Sequence, residues 1–344
     1  MIDSGYSIDV MYVDIIGSCN LRCPSCPVAH VGPVNPTGLM DIDDFARIIS
    51  WAYQEHGVRS VGLYNWAEPL LHPRLPEYIR LAKASGMSCH ISSNLNVLRN
   101  PEELVQAEPD DFRISLSGFI QETYAITHAP GNIERVKRNM QILSDARERV
   151  GATNRIHVLY HKYKHNLDEL PLMRAYATGL GFDWQEQWAL YQGLERVFEL
   201  LDGRLPLEEQ RFIEEHFALS AREVVAALAR LDVQRSCNLL ERMIVVDWQG
   251  NLKLCCAVYD TNKHRLGAFV NMRREDVKRA KTGHPTCSRC VSYRLHLCDE
   301  VFYNQDLRRT LDEVALANVN NATRARLSVN LPVVNEYAAN ADCH

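Results

Sequence analysis

Eleven cysteines in 344 residues fall into two groups, and their spacing is the main chemical feature of the sequence. Cys19, Cys23 and Cys26 form what we call the first sulfur site. Cys89 stands alone in an apolar run, which predicts a packing role. The other group lies in the last third of the chain: Cys237, Cys255, Cys256, Cys287, Cys290, Cys298 and Cys343. Because structural disulfides are rare in a reducing compartment, such thiols predict two sites of metal binding or thiol chemistry.

The spacing of the first sulfur site, C-x3-C-x2-C, limits what it can bind. Three thiolates can ligate three irons of a cubane cluster and leave the fourth iron open to another ligand. A zinc knuckle is the alternative, and it would need a fourth ligand such as His30. Since Pro24 and Pro27 interrupt helix formation, the segment is predicted to be a loop around the metal.

The later cysteines also have metal-site spacing. Twelve residues separate Cys237 from Gly250, four more precede Cys255, and a C-x2-C pair begins at Cys287. Gly250 permits a tight turn between two alternating runs, which predicts a β-hairpin over residues 241–260. A zinc ribbon would use the same thiolate geometry as an iron–sulfur site.

Alternating strand and helix patterns position these sites. Short apolar runs predict six strands, at residues 8–16, 58–65, 87–93, 111–117, 155–161 and 182–188. Helical patterns follow at residues 41–55, 73–85, 101–107, 132–148 and 167–179, the first capped by Asp41. Six such units close only partly, so the predicted fold class is α/β, a partial (β/α)6 TIM-like barrel. Reactive groups in such barrels collect at the carboxyl ends of the strands.

The remainder of the chain divides into smaller parts. Residues 208–231 predict one or two amphipathic helices. Residues 263–282 are basic, which predicts a solvated helix face or a docking patch for an acidic electron carrier. The predicted domains are a core over 1–195, a helical bridge over 196–235, a cysteine-rich module over 236–310 and a polar tail over 311–344, mobile or dependent on a partner.

Composition argues against two classes of partner. The formal net charge is −5, from 38 basic and 43 acidic residues, so nothing favours DNA or an anionic membrane. The amino terminus lacks the pattern of a signal peptide, and no run approaches the roughly 18 apolar residues of a membrane helix. The sequence therefore predicts a cytoplasmic protein with no nucleic-acid and no membrane partner.

Four segments resemble the radical S-adenosylmethionine (SAM) superfamily. The C-x3-C-x2-C loop after the first strand is the signature of that family. The segment Tyr64–Pro69 (YNWAEP) is similar to its G-G-E-P motif with the glycines replaced. Ser92–Asn96 occupies the place of a T-N-G segment, and Ser115–Gly118 aligns with an S-L-D-G segment.

The resemblance implies both cofactors and site residues. A [4Fe–4S] cluster would bind SAM, and one electron from it would yield methionine and a 5′-deoxyadenosyl radical that abstracts hydrogen from a C–H bond. Glu68 would hold the SAM amino group, Asn94 would face the ribose, and Ser115 or Ser117 would line the SAM or substrate pocket. Residue type alone leaves two alternatives open, a surface salt bridge for Glu68 and a turn for Asn94. A flavodoxin- or ferredoxin-type protein would supply the electron.

The C-terminal cysteines resemble the SPASM/Twitch extension of the same superfamily. This implies a small C-terminal iron–sulfur module in which Cys237, Cys255, Cys287 and Cys290 ligate one auxiliary [4Fe–4S] cluster. A full SPASM module carries a C-x2-C-x5-C-x3-C run. No cysteine follows Cys298 at the last of these spacings, so a second auxiliary cluster is not expected.

Two further cysteines, Cys256 and Cys298, are candidate hydrogen donors. A thiol on the face opposite abstraction would return hydrogen to a substrate radical and invert a stereocentre. The alternative for each is packing as a small apolar side chain.

The predicted function is that of a radical SAM enzyme acting on a carbohydrate-like small molecule, with epimerisation or dehydrogenation as the outcome. Residues 160–166 and the alternating Trp184, Glu186 and Trp188 would line a pocket for a polyhydroxylated or phosphorylated molecule. Modification of a ribosomal peptide is the leading alternative. A non-catalytic zinc-binding scaffold is the alternative from another class.

Overall fold

One open sheet of nine strands organises the computed structural model, which describes residues 9–30, 35–231, 236–302 and 304–319. The strands are β1 Val10–Val13, β2 Ser60–Gly62, β3 Ser88–Ser93, β4 Asp111–Leu116, β5 Arg155–Lys162, β6 Asp183–Trp188, β7 Met243–Val246, β8 Asn251–Lys253 and β9 Arg265–Ala268. Their order across the sheet is β6-β5-β4-β3-β2-β1-β7-β8-β9. Strands β1 to β6 are mutually parallel, which confirms the six predicted strands and the partial barrel.

Helices follow the strands in the predicted order. They are α1 Pro27–His30, α2 Ile42–His56, α3 Leu75–Ala84, α4 Pro101–Gln106, α5 Gln121–Thr127, α6 Ile133–Val150, α7 Leu170–Gly179, α8 Leu194–Leu201, α9 Leu207–His216, α10 Ala221–Ala229, α11 Asn238–Arg242, α12 Thr261–His264, α13 Arg274–Lys281, α14 Pro285–Ser292 and α15 Gln305–Asn318. The side chain of Asp41 caps α2 by accepting from the N–H of Asp43, as predicted. None of the helices in the described ranges is both long and apolar enough to cross a membrane.

Alternation along the strands creates two chemically different faces. On β4, Phe112 and Ile114 are fully buried in the main hydrophobic core beneath the helices. Arg113 and Ser115 point to the opposite side, which we call the inner face. The helix-covered face therefore supplies the core, and the inner face is free to carry polar groups.

The C-terminal module continues the barrel sheet. Strand β7 pairs in parallel with β1, with Val10 opposite Met243, and β8 then pairs with β7 as the predicted antiparallel hairpin. Gly250 has a φ of +81° at the hairpin turn, a conformation that favours glycine. The predicted hairpin is thus confirmed. Because β7 pairs with β1, the part of the chain that carries the later cysteines lies beside the strand that precedes the first sulfur site.

Two predictions for the end of the chain need correction. The basic segment 263–282 is not one solvated helix, because it contains β9 and α13, and Lys281 at the end of α13 is fully buried. The boundary predicted at residue 310 falls inside α15, whose Leu307, Leu311 and Ala315 are buried. The apolar stripe of α15 covers a second core cluster, so residues 311–319 belong to the folded part. Residues 320–344, including Cys343, lie outside the described residues.

Candidate active site

The first sulfur site lies in the loop between β1 and α1. Burial, followed by the neighbouring thiols Cys26 and Cys19, raises the pKa of Cys23 well above its usual range. Burial also raises the pKa of Cys19 to about 11 and that of Cys26 to about 12. A bound cation reverses such shifts because it stabilises the thiolate form. The loop thus presents three neighbouring thiols that a metal would ionise.

His30, the candidate fourth ligand of a zinc knuckle, is engaged elsewhere. Its Nε2 lies 2.6 Å from the carbonyl oxygen of Pro24, and its Nδ1 lies 3.2 Å from Oε2 of Glu209. Within the described ranges, no group of three or more His, Cys, Asp or Glu residues is placed to hold a metal ion. In a cubane each thiolate binds a different iron, so the sulfurs need not converge on one point. The contacts of His30 favour the cubane over the zinc knuckle.

Asp14, just after β1, anchors the loop that follows β2. Its Oδ1 accepts backbone hydrogen bonds from Asn65 at 2.8 Å, Trp66 at 3.2 Å and Ala67 at 3.3 Å. Burial raises the pKa of this carboxyl to about 6, and the charge of Lys253 opposes the shift. The sequence analysis missed Asp14, although a carboxylate that ends an apolar strand was the available signal.

Glu68 and Asn94 join three loops at the first sulfur site. Glu68 is buried, and its carboxylate accepts from the N–H groups of Asn94 at 2.8 Å and Leu70 at 3.0 Å. Burial raises the pKa of Glu68 to about 7. The side-chain amide of Asn94 donates to Asn20 at 2.9 Å and lies 3.9 Å from Sγ of Cys19. Both residues therefore lie beside the cysteine loop.

The two candidate serines have different surroundings. Ser115 lies on the inner face, with its Oγ 2.8 Å from Nε2 of His161. Ser117 follows the end of β4 and is fully buried, with its Oγ 2.9 Å from Nδ1 of His128 and bonded to Thr127. Ser115 is thus placed on the inner face, whereas Ser117 is enclosed among protein partners.

A polar row crosses the inner face at the carboxyl ends of β4, β5 and β6. His161 links Ser115 to Gln187, whose Nε2 lies 3.4 Å from the imidazole Nδ1. Burial, and then the charge of Arg113, lowers the pKa of His161 to about 4. The imidazole is therefore neutral at pH 7, and its one donor and one acceptor link Ser115 to Gln187 without adding a charge.

The opposite part of the inner face is aromatic and cationic. The rings of Tyr12 and Tyr64 have centroids 5.2 Å apart. The guanidinium of Arg113 lies 4.9 Å from the Tyr64 ring centroid, and its Nε donates to Oγ of Ser92 at 2.9 Å. Tyr64 begins the segment held by Asp14, so this patch lies next to that loop.

The tryptophans predicted to line the substrate pocket face the helices instead. The ring of Trp184 lies 5.4 Å from the buried ring of Tyr160, at an interplanar angle of 34°, and its Nε1 donates to Glu186. Nε1 of Trp188 donates to Asp312 of α15 at 2.8 Å. The prediction for these residues is wrong because an alternating pattern defines two faces of a strand but does not say which is the inner one.

The second sulfur site comprises Cys237, Cys255, Cys287 and Cys290, of which the last three pack against one small apolar cluster. Burial, followed by the charges of Cys255 and Cys237, raises the pKa of Cys287 to about 11, and the same influences raise the pKa of Cys290. These mutual effects show that the cysteines, distant in sequence, are neighbours in the fold.

A buried lysine accompanies this second site. Lys281 is fully buried, and its Nζ donates to the carbonyl oxygen of Met243 at 2.5 Å. Burial lowers its pKa, while the charges of the neighbouring Cys255 and Cys237 raise it. Its ammonium group therefore lies where four thiolates would concentrate negative charge. No sequence signal distinguished it from the other residues of the basic segment.

Cys256 and Cys298, the candidate hydrogen donors, lie in different places. When the side-chain amide of Asn65 is turned to the orientation that satisfies both its oxygen and its nitrogen, the nitrogen donates to the carbonyl oxygen of Cys256 at 3.3 Å. The thiol of Cys256 is also near enough to Tyr12 for its charge to raise the tyrosine pKa, after burial and Tyr64. Cys298 packs against the apolar cluster of α10 and α15, on the side where its charge raises the pKa of Cys290. Cys256 alone of the two adjoins the inner face.

Comparison with known proteins identifies the domain that these contacts build. Residues 13–170 match the model of the radical SAM superfamily. They form a radical SAM domain. This segment contains the first sulfur site and strands β2 to β5 of the inner face.

Similarity to known proteins extends beyond residues 13–170. A Pyrococcus furiosus protein named "tungsten-containing aldehyde ferredoxin oxidoreductase cofactor-modifying protein" is 26% identical over 261 residues, which cover 71% of this chain and 70% of the relative. Streptococcus suis SuiB bound to S-adenosylmethionine has a TM-score of 0.55 at 14% identity, covering 83% of this chain and 71% of that one. The enzyme anSMEcpe with bound AdoMet has a TM-score of 0.53 at 14% identity, covering 94% and 100%. Both structures share the fold.

The radical SAM fold binds a [4Fe–4S] cluster and SAM, and the residues of this domain fit both. Cys19, Cys23 and Cys26 are half-buried neighbours in one loop and offer the thiolate ligands that iron–sulfur clusters use, and the contacts of Asn94 bring an amide to Cys19. The cysteine-rich C-terminal part fits an auxiliary cluster.

Proposed function

We propose that this radical SAM enzyme abstracts hydrogen from a polar, carbohydrate-like small molecule and catalyses its epimerisation. The proposal depends on one arrangement, the polar inner face with a thiol, Cys256, at its edge. The alternative outcome is dehydrogenation, and the experiment below distinguishes the two.

The cofactors and their supporting residues start the reaction. When bound, the cluster and SAM supply a 5′-deoxyadenosyl radical. Cys19, Cys23 and Cys26 would ligate the cluster, and Asn94 would orient SAM from its position beside Cys19. Glu68 accepts one hydrogen bond on each carboxylate oxygen, from Leu70 and Asn94, which fixes the loop geometry around SAM, and its remaining lone pairs would accept from the SAM amino group.

The inner face supports a polar substrate. Ser115, His161 and Gln187 offer hydroxyl, imidazole and amide groups in one row, which suits a molecule with several hydroxyl groups. Trp184 and Trp188 are turned away, so recognition depends on hydrogen bonds more than on stacking against sugar faces. The name of the Pyrococcus furiosus relative, a cofactor-modifying protein, supports a small-molecule substrate over a peptide.

The role of Cys256 follows from its place between the inner face and the second sulfur site. After one hydrogen atom leaves the substrate carbon, the S–H bond of Cys256 breaks and its hydrogen atom adds to the opposite face of that carbon. The resulting thiyl radical takes up one electron and one proton to restore the thiol. Cys255, the next residue, belongs to the second sulfur site, so an auxiliary cluster held there would be a short route for that electron.

Deuterium transfer tests this proposal. Anaerobically reconstituted enzyme is incubated in D2O with SAM, dithionite and a panel of sugars, sugar phosphates and nucleotide sugars. A substrate should raise the formation of 5′-deoxyadenosine and return as an epimer with one solvent deuterium at the inverted carbon.

Two results would overturn the proposal. A product two mass units lighter than the substrate would indicate dehydrogenation. Stimulation of 5′-deoxyadenosine formation by short peptides, with no response to the small-molecule panel, would indicate peptide modification.

A further inference from the structure

Arg113 is a cation on the inner face that has no anionic partner among the residues the structure describes. Its Nε donates to Ser92, and its guanidinium lies against the ring of Tyr64. Across the described ranges, no carboxylate lies within 4.0 Å of this guanidinium, and its two Nη groups donate no hydrogen bond to the protein. Four N–H donors of the planar fork therefore remain for a ligand.

The surroundings of Arg113 do not neutralise its charge. His161, on the next strand, is neutral at pH 7 because burial and Arg113 lower its pKa to about 4. Asp111, on the same strand, is paired with His157 at 3.0 Å and with Arg155 at 3.2 Å. The polar inner face consequently carries a net positive charge at Arg113.

The depth of Arg113 separates it from the cysteine loop. Its partner in register, Ser92, precedes Asn94 by two residues, and it is Asn94 that contacts Cys19. Two residues correspond to about 6–7 Å along a strand. Arg113 therefore lies deeper in the barrel than the first sulfur site.

We propose that Arg113 binds an oxyanion of the substrate, a carboxylate or a phosphate, and so selects an anionic member of the small-molecule class. The inference rests on the proposed function, because it assumes that the inner face holds the substrate. The fork geometry of a guanidinium matches either oxyanion with two parallel hydrogen bonds. Ser115 and His161 would then receive the uncharged part of the molecule.

Anion binding tests this inference without turnover. Reconstituted wild-type protein, Arg113→Gln, Arg113→Lys and Arg59→Gln are titrated with inorganic phosphate and with acetate by calorimetry at constant ionic strength. Arg59 is the matched control, since its guanidinium also lies over a tyrosine ring, that of Tyr53 at 3.8 Å, but on the exposed outer surface. The dissociation constant for SAM is measured on the same samples.

We expect saturable binding of at least one anion to wild type and to Arg59→Gln. Binding should weaken at least about tenfold in Arg113→Gln and less in Arg113→Lys, which keeps the charge but loses the fork. A stronger response to phosphate or to acetate identifies the oxyanion.

Three results would overturn the inference: no saturable binding to wild type, equal binding to wild type and Arg113→Gln, or a loss of SAM affinity that parallels the loss of anion affinity. The last would assign Arg113 to the carboxylate of SAM. Failure of the proposed function is distinguishable, because it would appear as a dehydrogenated product, or as a response to peptides only, from wild type whose Arg113-dependent anion binding is intact.

Discussion

The carboxylate of Glu68 accepts a hydrogen bond from the backbone N–H of Asn94 at 2.8 Å, and this contact joins the loops that follow β2 and β3. The N–H of Glu68 also donates to the carbonyl oxygen of Ser18 at 3.0 Å, in the loop after β1. Three successive strand ends are thus tied together where the cysteines emerge. The geometry of the first sulfur site depends on residues from all three loops.

Replacing Glu68 with Gln should loosen this junction. The carboxylate of Glu68 accepts from the N–H groups of Leu70 and Asn94, whereas an amide has only one oxygen and could accept from only one of them. Its NH2 group would then face the other N–H, and two donors repel each other. At pH 8, above the raised pKa of about 7, we expect a loss of about 1–3 kcal/mol in the free energy of unfolding, with weaker SAM binding. Urea unfolding and SAM titration measure both.

The control for this change is Glu77→Gln on the exposed surface of α3, where Glu77 pairs with Arg74. Surface pairs contribute little, so Glu77→Gln should change the free energy of unfolding far less than Glu68→Gln does. Equal effects of the two substitutions would show that the Glu68 junction has no special importance.

Replacing Cys256 with Ala should separate initiation from product formation. The variant should still release 5′-deoxyadenosine when substrate is present, but formation of the epimer should fall at least about tenfold because the hydrogen donor is missing. Chiral chromatography of the product, with mass spectrometry for deuterium, measures the outcome. Cys298→Ala is the matched control, since Cys298 also neighbours a cysteine of the second sulfur site, Cys290, but packs against the apolar cluster of α10 and α15. Equal epimer yields from both variants would contradict the assignment.

Replacing Lys281 with Met should change the electrochemistry of the second sulfur site. A fixed ammonium near the cluster stabilises its reduced, more negative state, so removing the charge should lower the reduction potential by about 50–100 mV. Potentiometric titration followed by EPR measures it. Lys278→Met, on the same helix but exposed, is the control and should leave the potential unchanged. An unchanged potential in Lys281→Met with full iron content would contradict the prediction.

His161 should make stability depend on pH. Burial and Arg113 lower its pKa to about 4, below the value near 6.5 of an unfolded histidine. As pH falls from 7.5 to 5, the unfolded chain takes up the proton and the folded chain does not, so stability is lost. His161→Gln should remove about 2 kcal/mol of this loss, measured by urea unfolding across that range.

The control for the pH prediction is Ser115→Ala, which leaves burial and Arg113 in place and should keep the wild-type slope. Arg113→Gln should make the dependence of stability on pH less steep, because the charge of Arg113 is one of the two causes that lower the pKa of His161. Parallel stability curves for His161→Gln and wild type would refute the assignment of this pKa.

Local patterns predicted the barrel well. Each of β1 to β6 lies within its predicted range or within one residue of it, because runs of alternating apolar residues define strands without knowledge of their partners. The cysteine spacing likewise identified the first sulfur site, since its three ligands lie in one loop. Asp41 was predictable as a cap because its bond to Asp43 is local.

Residues whose roles arise from long-range contacts were missed. Asp14 anchors a loop that lies more than fifty residues later in the sequence. Lys281 lies near thiols from three separate segments of the chain. Trp184 and Trp188 were assigned to the wrong face because the covering helices, including α15, decide which side of β6 is buried. Arg113 was unremarkable in sequence, since only the assembled sheet brings it to Ser92 and Tyr64.

The most direct test of the account combines metal analysis with SAM cleavage on anaerobically reconstituted protein. We predict about eight irons per chain for two cubanes and release of 5′-deoxyadenosine under dithionite. A variant with Cys19, Cys23 and Cys26 all changed to Ala should keep about four irons and release none. Zinc in place of iron at these three cysteines, or iron-loaded wild type that releases no 5′-deoxyadenosine with or without candidate substrates, would contradict the account.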